Sequence, residues 1–315
     1  MPLVVDRPIF LVGAERSGTT LLRLMLDHHP MIAFNGESEY IVSRISEDGA
    51  YPEMSGYRAW LRSDRIFQGS CLRVDESLDY PSLVNDFLDQ FRSRSRKAMV
   101  GATVHTQFHK LHRIWPRAKY IYLLRDGRDV AGSVQRMGWA GNAYVAADWW
   151  LGAEAEWDAL RAVLGDDDWI EVRFEDLAAD AAAQLRRICA FIDAPYSDQM
   201  LGYVRDSTYG APDSGSRFRW RTAMGMAEVQ RLEDKLGERL PLRGYELSGH
   251  PRIRVAEWMK ICLYLHSRVR AFLFRLNRYG IVLTIQEALA RRLGFDRAHR
   301  NAISRINRII NAHLK

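Results

Sequence analysis

The feature that most constrains the fold is an apolar run that leads straight into a glycine-bracketed loop. The run is Ile9–Val12, the loop lies between Gly13 and Gly18, and an apolar helical pattern begins at Thr19. A strand, a tight loop and a helix start in this order gather backbone N–H groups at the positive end of a helix dipole. The segment therefore predicts a site for a phosphate-like anion.

The spacing of this loop is that of the Walker A loop, G-x-x-x-x-G-K-[ST]. Thr19 stands in the lysine position, and Thr20 keeps the hydroxyl position. In a Walker A loop the lysine reaches the β- and γ-phosphates of a nucleoside triphosphate. Its absence argues against ATP or GTP hydrolysis, and a P-loop nucleotide kinase or NTPase is therefore the weaker alternative.

Strand-like runs alternate with helical patterns through the first two thirds of the chain. Besides Ile9–Val12, the runs are Tyr120–Leu124, Trp169–Phe174 and a weaker one at Ala98–Gly101. The helical patterns are Thr19–His29, Gly127–Arg136 and Leu177–Ile192. This alternation predicts an α/β fold in which helices flank a central parallel sheet. Ligands of such folds bind at the carboxyl ends of the strands, where the loops 13–20 and 125–129 both open.

Two stretches have no clear periodicity. Turn signals such as Asp48-Gly49 and Tyr80-Pro81 make residues 47–82 a predicted irregular lid, and residues 206–221 a second irregular stretch. After residue 250 the pattern becomes helical, over 252–278, roughly 282–293 and 296–314. We therefore expect a domain over residues 1–250 and a basic amphipathic helical extension over 251–315.

Charge and cysteine content suggest a location. Residues 249–315 contain 14 Lys and Arg against 3 Asp and Glu, whereas the whole chain of 315 residues carries a net charge of +6. This basic, apolar segment could lie on an anionic membrane surface, pack on the body of the protein or form a homodimer. Three separated cysteines, no leader pattern and no long apolar stretch predict a cytoplasmic protein, with peripheral contact at the inner membrane face left open.

Three motifs together resemble the sulfotransferase family that uses 3′-phosphoadenosine 5′-phosphosulfate (PAPS). They are Arg16–Thr20, Tyr120–Ser133 and Val172–Leu177, which are similar to the 5′-phosphosulfate loop, the 3′-phosphate segment and a strand-to-helix signature of that family. Within the second motif, Arg125 and Ser133 have the family's spacing for the 3′-phosphate pair. The pattern is closest to bacterial-type members and to the glutamate-using tyrosylprotein sulfotransferases.

The resemblance implies a P-loop-like sulfotransferase fold and in-line transfer of a sulfuryl group from PAPS to a hydroxyl acceptor. It implies no metal. The donor-binding residues it implies are Arg16, Ser17, Gly18, Thr19, Thr20, Arg125, Ser133, Phe174 near the adenine, and Arg217 from a late basic loop in which Arg219 and Arg221 are alternatives.

The resemblance also implies the catalytic groups. Glu37 lies 21 residues after Arg16, where glutamate-using members place their base, and Glu39 is the alternative. Arg16 would neutralise charge beside the transferring group. Many members carry a lysine or a histidine near residue 103, aimed at the leaving phosphate, and this chain has no lysine there. His105 is the nearest substitute, with a structural histidine as the other interpretation.

Other functions have weaker support. His105, His109 and His112 have the spacing of one helical face, but no carboxylate or cysteine nearby completes a metal site. No nucleic-acid-binding module is recognisable. The missing lysine leaves room for an inactive nucleotide- or membrane-binding homologue. The acceptor is not readable: a small alcohol, a carbohydrate, a lipid head group and a peptide tyrosine all remain open.

Overall fold

A computed structural model describes residues 3–208, 210, 214–292 and 305–306 of the chain. The described residues contain a five-stranded, fully parallel sheet with the strand order β2-β3-β1-β4-β5. The strands are β1 (Ile9–Val12), β2 (Ile32–Glu37), β3 (Met99–Val104), β4 (Lys119–Leu124) and β5 (Trp169–Arg173).

Helices lie between the strands along the chain and follow the last of them. Between β1 and β4 lie α1 (Thr19–Asp27), α2 (Met54–Leu61), α3 (Arg65–Ser70) and α4 (Tyr80–Ser95). After β4 come α5 (Gly127–Arg136), α6 (Ala143–Arg161), α7 (Phe174–Ala179), α8 (Ala181–Phe191), α9 (Trp220–Ala223), α10 (Met226–Leu236), α11 (Arg239–Leu242), α12 (Glu257–Tyr279) and α13 (Ile281–Arg292). Short 3₁₀ helices span Glu39–Ile41, Phe108–Arg113, Asp166–Asp168, Asp198–Arg205 and Ser214–Ser216.

The central strand β1 is apolar throughout because both of its faces are covered. All four of its residues are buried, and it pairs with β3 on one side and β4 on the other. Leu11 belongs to an apolar core cluster that also contains Leu22 of α1 and Ile121 of β4. This burial fixes the carboxyl end of β1, from which the glycine-bracketed loop emerges.

The chain separates into two compact units. One comprises Met1–Val130 and Trp149–Arg221, and contains the whole sheet. The other comprises Ala131–Asp148 and Thr222–Lys315. The predicted boundary at residue 250 stays a prediction.

The predicted fold class is confirmed, and most of the predicted elements are present. The structure differs over residues 47–82, where the expected irregular lid contains α2, α3 and the start of α4. It also adds β2, which the sequence analysis did not predict. The predicted helices at 252–278 and 282–293 correspond to α12 and α13, whereas the predicted helix at 296–314 lies, apart from residues 305–306, outside the described residues.

Candidate active site

The loop between β1 and α1 has three residues with a positive φ, two of which are glycines. Gly13 and Gly18 have φ values of 140° and 99°, and Arg16 between them has a φ of 72°. A Cβ on Gly18 would lie 2.4 Å from the ring of Phe174, and a Cβ on Gly13 would lie 2.4 Å from the carbonyl oxygen of Leu123. Both glycines therefore allow the loop to approach its neighbours closely.

The hydroxyl groups of this loop sit at the start of α1. Gly18 is the N-cap of that helix and provides no side-chain cap. Ser17 is 1% exposed, and within the described residues its Oγ has no hydrogen-bond partner. Thr19 is also buried, and Thr20 is half-buried. A buried hydroxyl beside an uncapped helix start suits an anion with several acceptor oxygens.

His105 lies directly beneath the loop, at the residue after β3. Its Nδ1 lies 3.1 Å from the carbonyl oxygen of Gly13, and its Nε2 lies 3.5 Å from Oγ1 of Thr19. A carbonyl oxygen only accepts, so Nδ1 carries the proton in this arrangement. Nε2 then faces the hydroxyl of Thr19, on the side where the helix begins.

A buried carboxylate holds His105 from the other side. Oε1 of Glu39 accepts a hydrogen bond from the backbone N–H of His105 at 3.0 Å. Burial raises the pKa of Glu39 to about 7, against the lowering effect of that hydrogen bond. The other oxygen, Oε2, is buried without a hydrogen-bond partner among the described residues. Glu39 can therefore hold a proton close to neutral pH.

Glu15 adds a second perturbed carboxyl group, which the sequence analysis missed. Burial raises its pKa, His105 opposes that shift, and the negative charges of Glu39 and Glu37 reinforce it. Its side chain is hydrogen-bonded to Trp149. Three carboxyl groups thus share one electrostatic environment around His105.

Glu37 is the most accessible of these three carboxyl groups. It ends β2, its side chain is 50% exposed, and its Oε2 lies 3.9 Å from Nη2 of Arg65. Its backbone pairs with Thr103 next to a bulge in the β2–β3 ladder. The side chain of the predicted base, Glu37, is therefore half-exposed to solvent, whereas the carboxylate of the alternative, Glu39, is buried.

Arg125 lies against the loop from the carboxyl end of β4. Its guanidinium donates to the carbonyl oxygen of Arg16 at 3.2 Å and to that of Ser216 at 2.9 Å. It also stacks on the ring of Phe174, 4.0 Å from the centroid. The ring of Phe174 therefore packs between Gly18 and Arg125, and its predicted contact with an adenine stays a prediction.

Two buried aspartates attach the late basic loop to this edge of the sheet. Asp126 is fully buried, forms an ion pair with Arg128 at 2.8 Å and accepts a hydrogen bond from Nε1 of Trp220 at 3.0 Å. Asp129 accepts backbone N–H bonds from Trp220 and Arg219, at 2.8 and 3.2 Å. Their partners in this loop lie about 90 residues further along the chain, and the sequence analysis did not predict the attachment.

The remaining predicted residues are placed as follows. Arg217 is half-buried and directly follows Ser216, whose carbonyl oxygen Arg125 contacts. Arg219 and Arg221 are exposed, and the latter lies over the rings of Phe218 and Trp220. Ser133 is a buried residue of α5, and its pairing with Arg125 at one phosphate stays a prediction.

The three histidines do not share a helical face. His105 follows a strand, and the 3₁₀ helix that carries His109 and His112 begins only at Phe108. Nδ1 of His109 lies 3.7 Å from a carboxylate oxygen of Glu156 instead. Among the residues that the structure describes, no group of three or more His, Cys, Asp or Glu side chains is arranged to hold a metal ion.

A family model described as "Sulfotransferase family" matches residues 8–198, which include the loop, His105, Arg125 and β5. The chain belongs to the sulfotransferase family. The predicted resemblance is confirmed at this level, whereas the role of a glutamate as base remains untested.

Curated relatives support the same family. The chain is 26% identical over 213 residues to protein-tyrosine sulfotransferase A of Caenorhabditis elegans, covering 61% of this chain and 51% of that protein. It is 26% identical over 209 residues to the protein-tyrosine sulfotransferase of Drosophila melanogaster, covering 61% of this chain and 39% of that protein. The chain thus spans about half or less of the length of these relatives.

Two solved sulfotransferase domains share the fold. One comes from the curacin biosynthetic pathway, with a TM-score of 0.55 and 18% identity over 77% of this chain and 99% of that domain. The other comes from the Synechococcus olefin synthase, with a TM-score of 0.51 and 21% identity over 78% of this chain and 98% of that domain.

The predicted cytoplasmic location is wrong by these comparisons. The matched animal relatives are tyrosylprotein sulfotransferases, which are known as Golgi-resident enzymes. Cysteine number was therefore a poor guide to location. Among the described residues, no helix has both the length and the apolar character needed to cross a bilayer.

Proposed function

We propose that this sulfotransferase-family chain moves a sulfuryl group from PAPS to a hydroxyl acceptor by in-line displacement. The observation that carries the proposal is the direct contact of Arg125 with the carbonyl oxygen of Arg16, at 3.2 Å. It brings a guanidinium from β4 to a phosphate-type loop that has no Walker lysine. A second cation beside the first anion site suits a nucleotide phosphorylated at both ends of one ribose.

The loop fits the 5′ end of such a donor. When bound, PAPS supplies an activated sulfuryl group whose leaving group is the 5′-phosphate. Ser17, Gly18, Thr19 and Thr20 would bind that phosphate through hydroxyl and backbone N–H groups, and the unpartnered, buried Oγ of Ser17 supports the assignment. Arg16 would balance negative charge at the same place. Most of the rate would come from positioning and from this preorganised charge.

The 3′-phosphate would lie at Arg125, with Ser133 and Arg217 as the further ligands predicted from the sequence. Of these three residues, Arg125 is the one whose described contacts support a place at the phosphate. Its stacking on Phe174 and its two carbonyl contacts hold the guanidinium plane in one orientation. A fixed guanidinium plane suits bidentate binding of a phosphate.

Glu37 and Glu39 would have different roles in the proton transfer. Glu37 would accept the proton of the attacking hydroxyl, because its half-exposed side chain can reach an acceptor. The carboxylate of Glu39 is buried and would position His105 through the 3.0 Å hydrogen bond. A proton held on Glu39 also removes a like charge from beside Glu37. His105 would act at the loop in place of the missing lysine; because Nδ1 already donates to the carbonyl oxygen of Gly13, Nε2 donates as well only when the ring is an imidazolium.

The acceptor is a hydroxyl group of open class. The relatives are named for protein tyrosine and, in the case of carbohydrate sulfotransferase 2 of mouse, for carbohydrate, and both classes offer hydroxyl groups. We therefore propose a panel that contains a tyrosine peptide, a sugar, a small alcohol and a lipid head group. An acceptor bearing a hydroxyl is the common requirement.

Nucleotide binding separates this function from the alternatives. Calorimetry on the full chain should detect 3′,5′-ADP binding at least about tenfold tighter than ATP, because ATP lacks the 3′-phosphate and the loop lacks its lysine. Preference for ATP with Mg²⁺ would favour the nucleotide kinase or NTPase. Binding of 3′,5′-ADP without transfer to any acceptor would favour the inactive homologue.

Transfer from labelled PAPS then tests the assigned roles. Glu37→Gln should abolish most transfer with 3′,5′-ADP affinity unchanged. His105→Ala should lower transfer by about 10²-fold or more, and His105→Lys should recover part of it, since lysine restores a donor. Unchanged product levels in Glu37→Gln, together with loss in Glu39→Gln, would move the base to Glu39.

A further inference from the structure

Helix α12 uses one of its faces to pack within its own compact unit. The amide of Asn142 donates to the carbonyl oxygen of Leu263 at 2.8 Å, and the hydroxyl of Ser267 accepts from the backbone N–H of Gly141 at 2.8 Å. Two turns further on, a Cβ on Gly138 would lie 2.2 Å from the ring of Phe274. Leu263, Ser267 and Phe274 therefore define an inner face at helical spacing.

The opposite face of α12 is also apolar, but it is open to solvent. Large side chains recur there every three or four residues, and each is between 42% and 64% exposed. We name this set the outer stripe: Trp258, Ile261, Leu265, Val269, Phe272 and Leu273. A helix that is apolar on both faces needs a cover on each, and contiguous apolar surface of this kind marks a contact site.

Arginines border the outer stripe. Arg268 and Arg275 line the same surface groove as Val269 and Phe272. Over its whole length α12 contains five Lys and Arg residues and one acidic residue, Glu257. An apolar stripe with basic borders is the arrangement of helices that lie in the interface of an anionic bilayer.

Helix α13 extends the same kind of surface. The chain turns at Gly280, with a φ of 82°, and Oγ1 of Thr284 donates to the carbonyl oxygen of Arg275 at 3.2 Å. The hairpin leaves four further aliphatic side chains of α13 at least 42% exposed: Ile281, Val282, Ile285 and Leu289. Two helices thus offer apolar side chains at the surface of one unit.

We propose that the outer stripe docks on a lipid surface bearing anionic head groups, with α12 lying in the plane of the interface. Charge decides between this occupant and a second copy of the chain. A second copy would bring an equally basic helix against Arg268 and its neighbours, and like charges repel. Anionic lipid complements the arginines, and acyl chains cover the apolar stripe.

Vesicle co-sedimentation of the full chain tests the proposal. We expect binding to vesicles of phosphatidylcholine with phosphatidylglycerol, weaker binding to phosphatidylcholine alone, and release as salt is raised. Leu265→Asp should lower affinity for the anionic vesicles by at least about tenfold, because one apolar side chain leaves the interface and a negative charge enters it. Asn277→Asp is the matched control: it adds the same charge at an exposed position of the same helix outside the stripe.

The outcomes are distinct. Equal binding by wild type and Leu265→Asp, or no binding of the wild type to anionic vesicles, would overturn the proposal. Sedimentation velocity without lipid provides the second measurement. A stable wild-type dimer that Leu265→Asp converts to monomer would assign the stripe to a second copy instead. Circular dichroism of both variants shows whether they fold, and the exposure of Leu265, 57%, leads us to expect that they do.

Discussion

Glu39 and His105 link the ends of two neighbouring strands to the loop that follows a third. Glu39 accepts the backbone N–H of His105 at 3.0 Å, and the ring of His105 in turn lies 3.1 Å from the carbonyl oxygen of Gly13. The position of a histidine under the loop therefore depends on a buried carboxyl group whose pKa burial raises to about 7. Glu39 and the loop are thus linked through His105, which contacts Glu39 by its backbone N–H and the loop by its ring.

The raised pKa of Glu39 predicts how stability depends on pH. The folded protein holds the proton of Glu39 more tightly than the unfolded chain, because burial raises its pKa from 4.5 to about 7. The free energy of unfolding should therefore fall as pH rises from about 4.5 to about 7, by up to ~3 kcal/mol, and level off above that range. Glu39→Gln cannot ionise and should flatten the fall. Urea unfolding between pH 4.5 and pH 7 measures this fall in the free energy of unfolding, with Glu76→Gln at an exposed position as control. An equally steep fall in Glu39→Gln would refute the raised pKa of Glu39 as its cause.

Gly18 should tolerate no side chain. Its φ of 99° and the ring of Phe174, 2.4 Å from an added Cβ, both oppose alanine. Gly18→Ala should cost about 2–4 kcal/mol of stability and weaken 3′,5′-ADP binding. Gly36→Ala is the matched control, since nothing lies within 4 Å of a Cβ there. Thermal unfolding and calorimetry of both variants check this, and a Gly18→Ala protein as stable as Gly36→Ala would contradict the described packing.

The sequence predicts those parts of the fold whose signals come from neighbouring residues. The run Ile9–Val12 and the helix Gly127–Arg136 have the predicted bounds, because apolar runs and helical spacing are properties of neighbouring residues. β2 escaped prediction because Asn35 and Gly36 disfavour a strand, and the ladder is bulged between Asn35 and Glu37.

The error over residues 47–82 has a different cause. The turn signal Tyr80-Pro81 lies at the start of α4, directly after its N-cap Asp79. Glu53, Asp64 and Asp79 each accept backbone N–H bonds at the start of α2, α3 and α4. A cap and a turn have the same residue preferences, so short segments are ambiguous. Only the packing of the helices that follow decides between them.

The candidate site also has features that the local sequence predicts and features that depend on distant parts of the chain. The roles of the loop and of Arg125 stay predictions, but their positions at the carboxyl ends of β1 and β4 were predictable because each directly follows a strand-like run. The buried roles of Glu39, Asp126 and Asp129 were not, because their partners come from distant parts of the chain. The histidine pattern failed because a strand end separates His105 from the helix that follows.

The ion pair of Asp126 and Arg128 should be costly to break. Both side chains are at most 1% exposed, and the guanidinium also stacks on Trp220, 3.7 Å from the ring centroid. Asp126→Asn replaces the charge of one buried partner of Arg128 by a neutral amide and should cost about 3–5 kcal/mol. Asp6→Asn breaks an exposed pair with Arg117 and should cost less than about 1 kcal/mol. Urea unfolding of both compares them directly, and equal costs would mean that the buried pair contributes no more than an exposed one.

Arg125 should discriminate between nucleotides with and without a 3′-phosphate. Arg125→Lys keeps the charge but loses the guanidinium plane that stacks on Phe174 and reaches Arg16. Affinity for 3′,5′-ADP should fall by about 10- to 100-fold, the loss of one charge-assisted hydrogen bond or slightly more, whereas affinity for 5′-AMP should change little.

Calorimetry with both nucleotides measures this difference, and thermal unfolding of the variant checks that it folds. Lys97→Arg, a conservative exchange of a cation whose partners are Asp27 and Ile32, controls for exchange of one cation for another. A similar loss for both nucleotides would indicate that Arg125 acts by holding the loop through Arg16, and would remove it from the 3′-phosphate. A loss confined to 3′,5′-ADP requires the guanidinium to touch the phosphate that 5′-AMP lacks, because the loop serves both nucleotides alike.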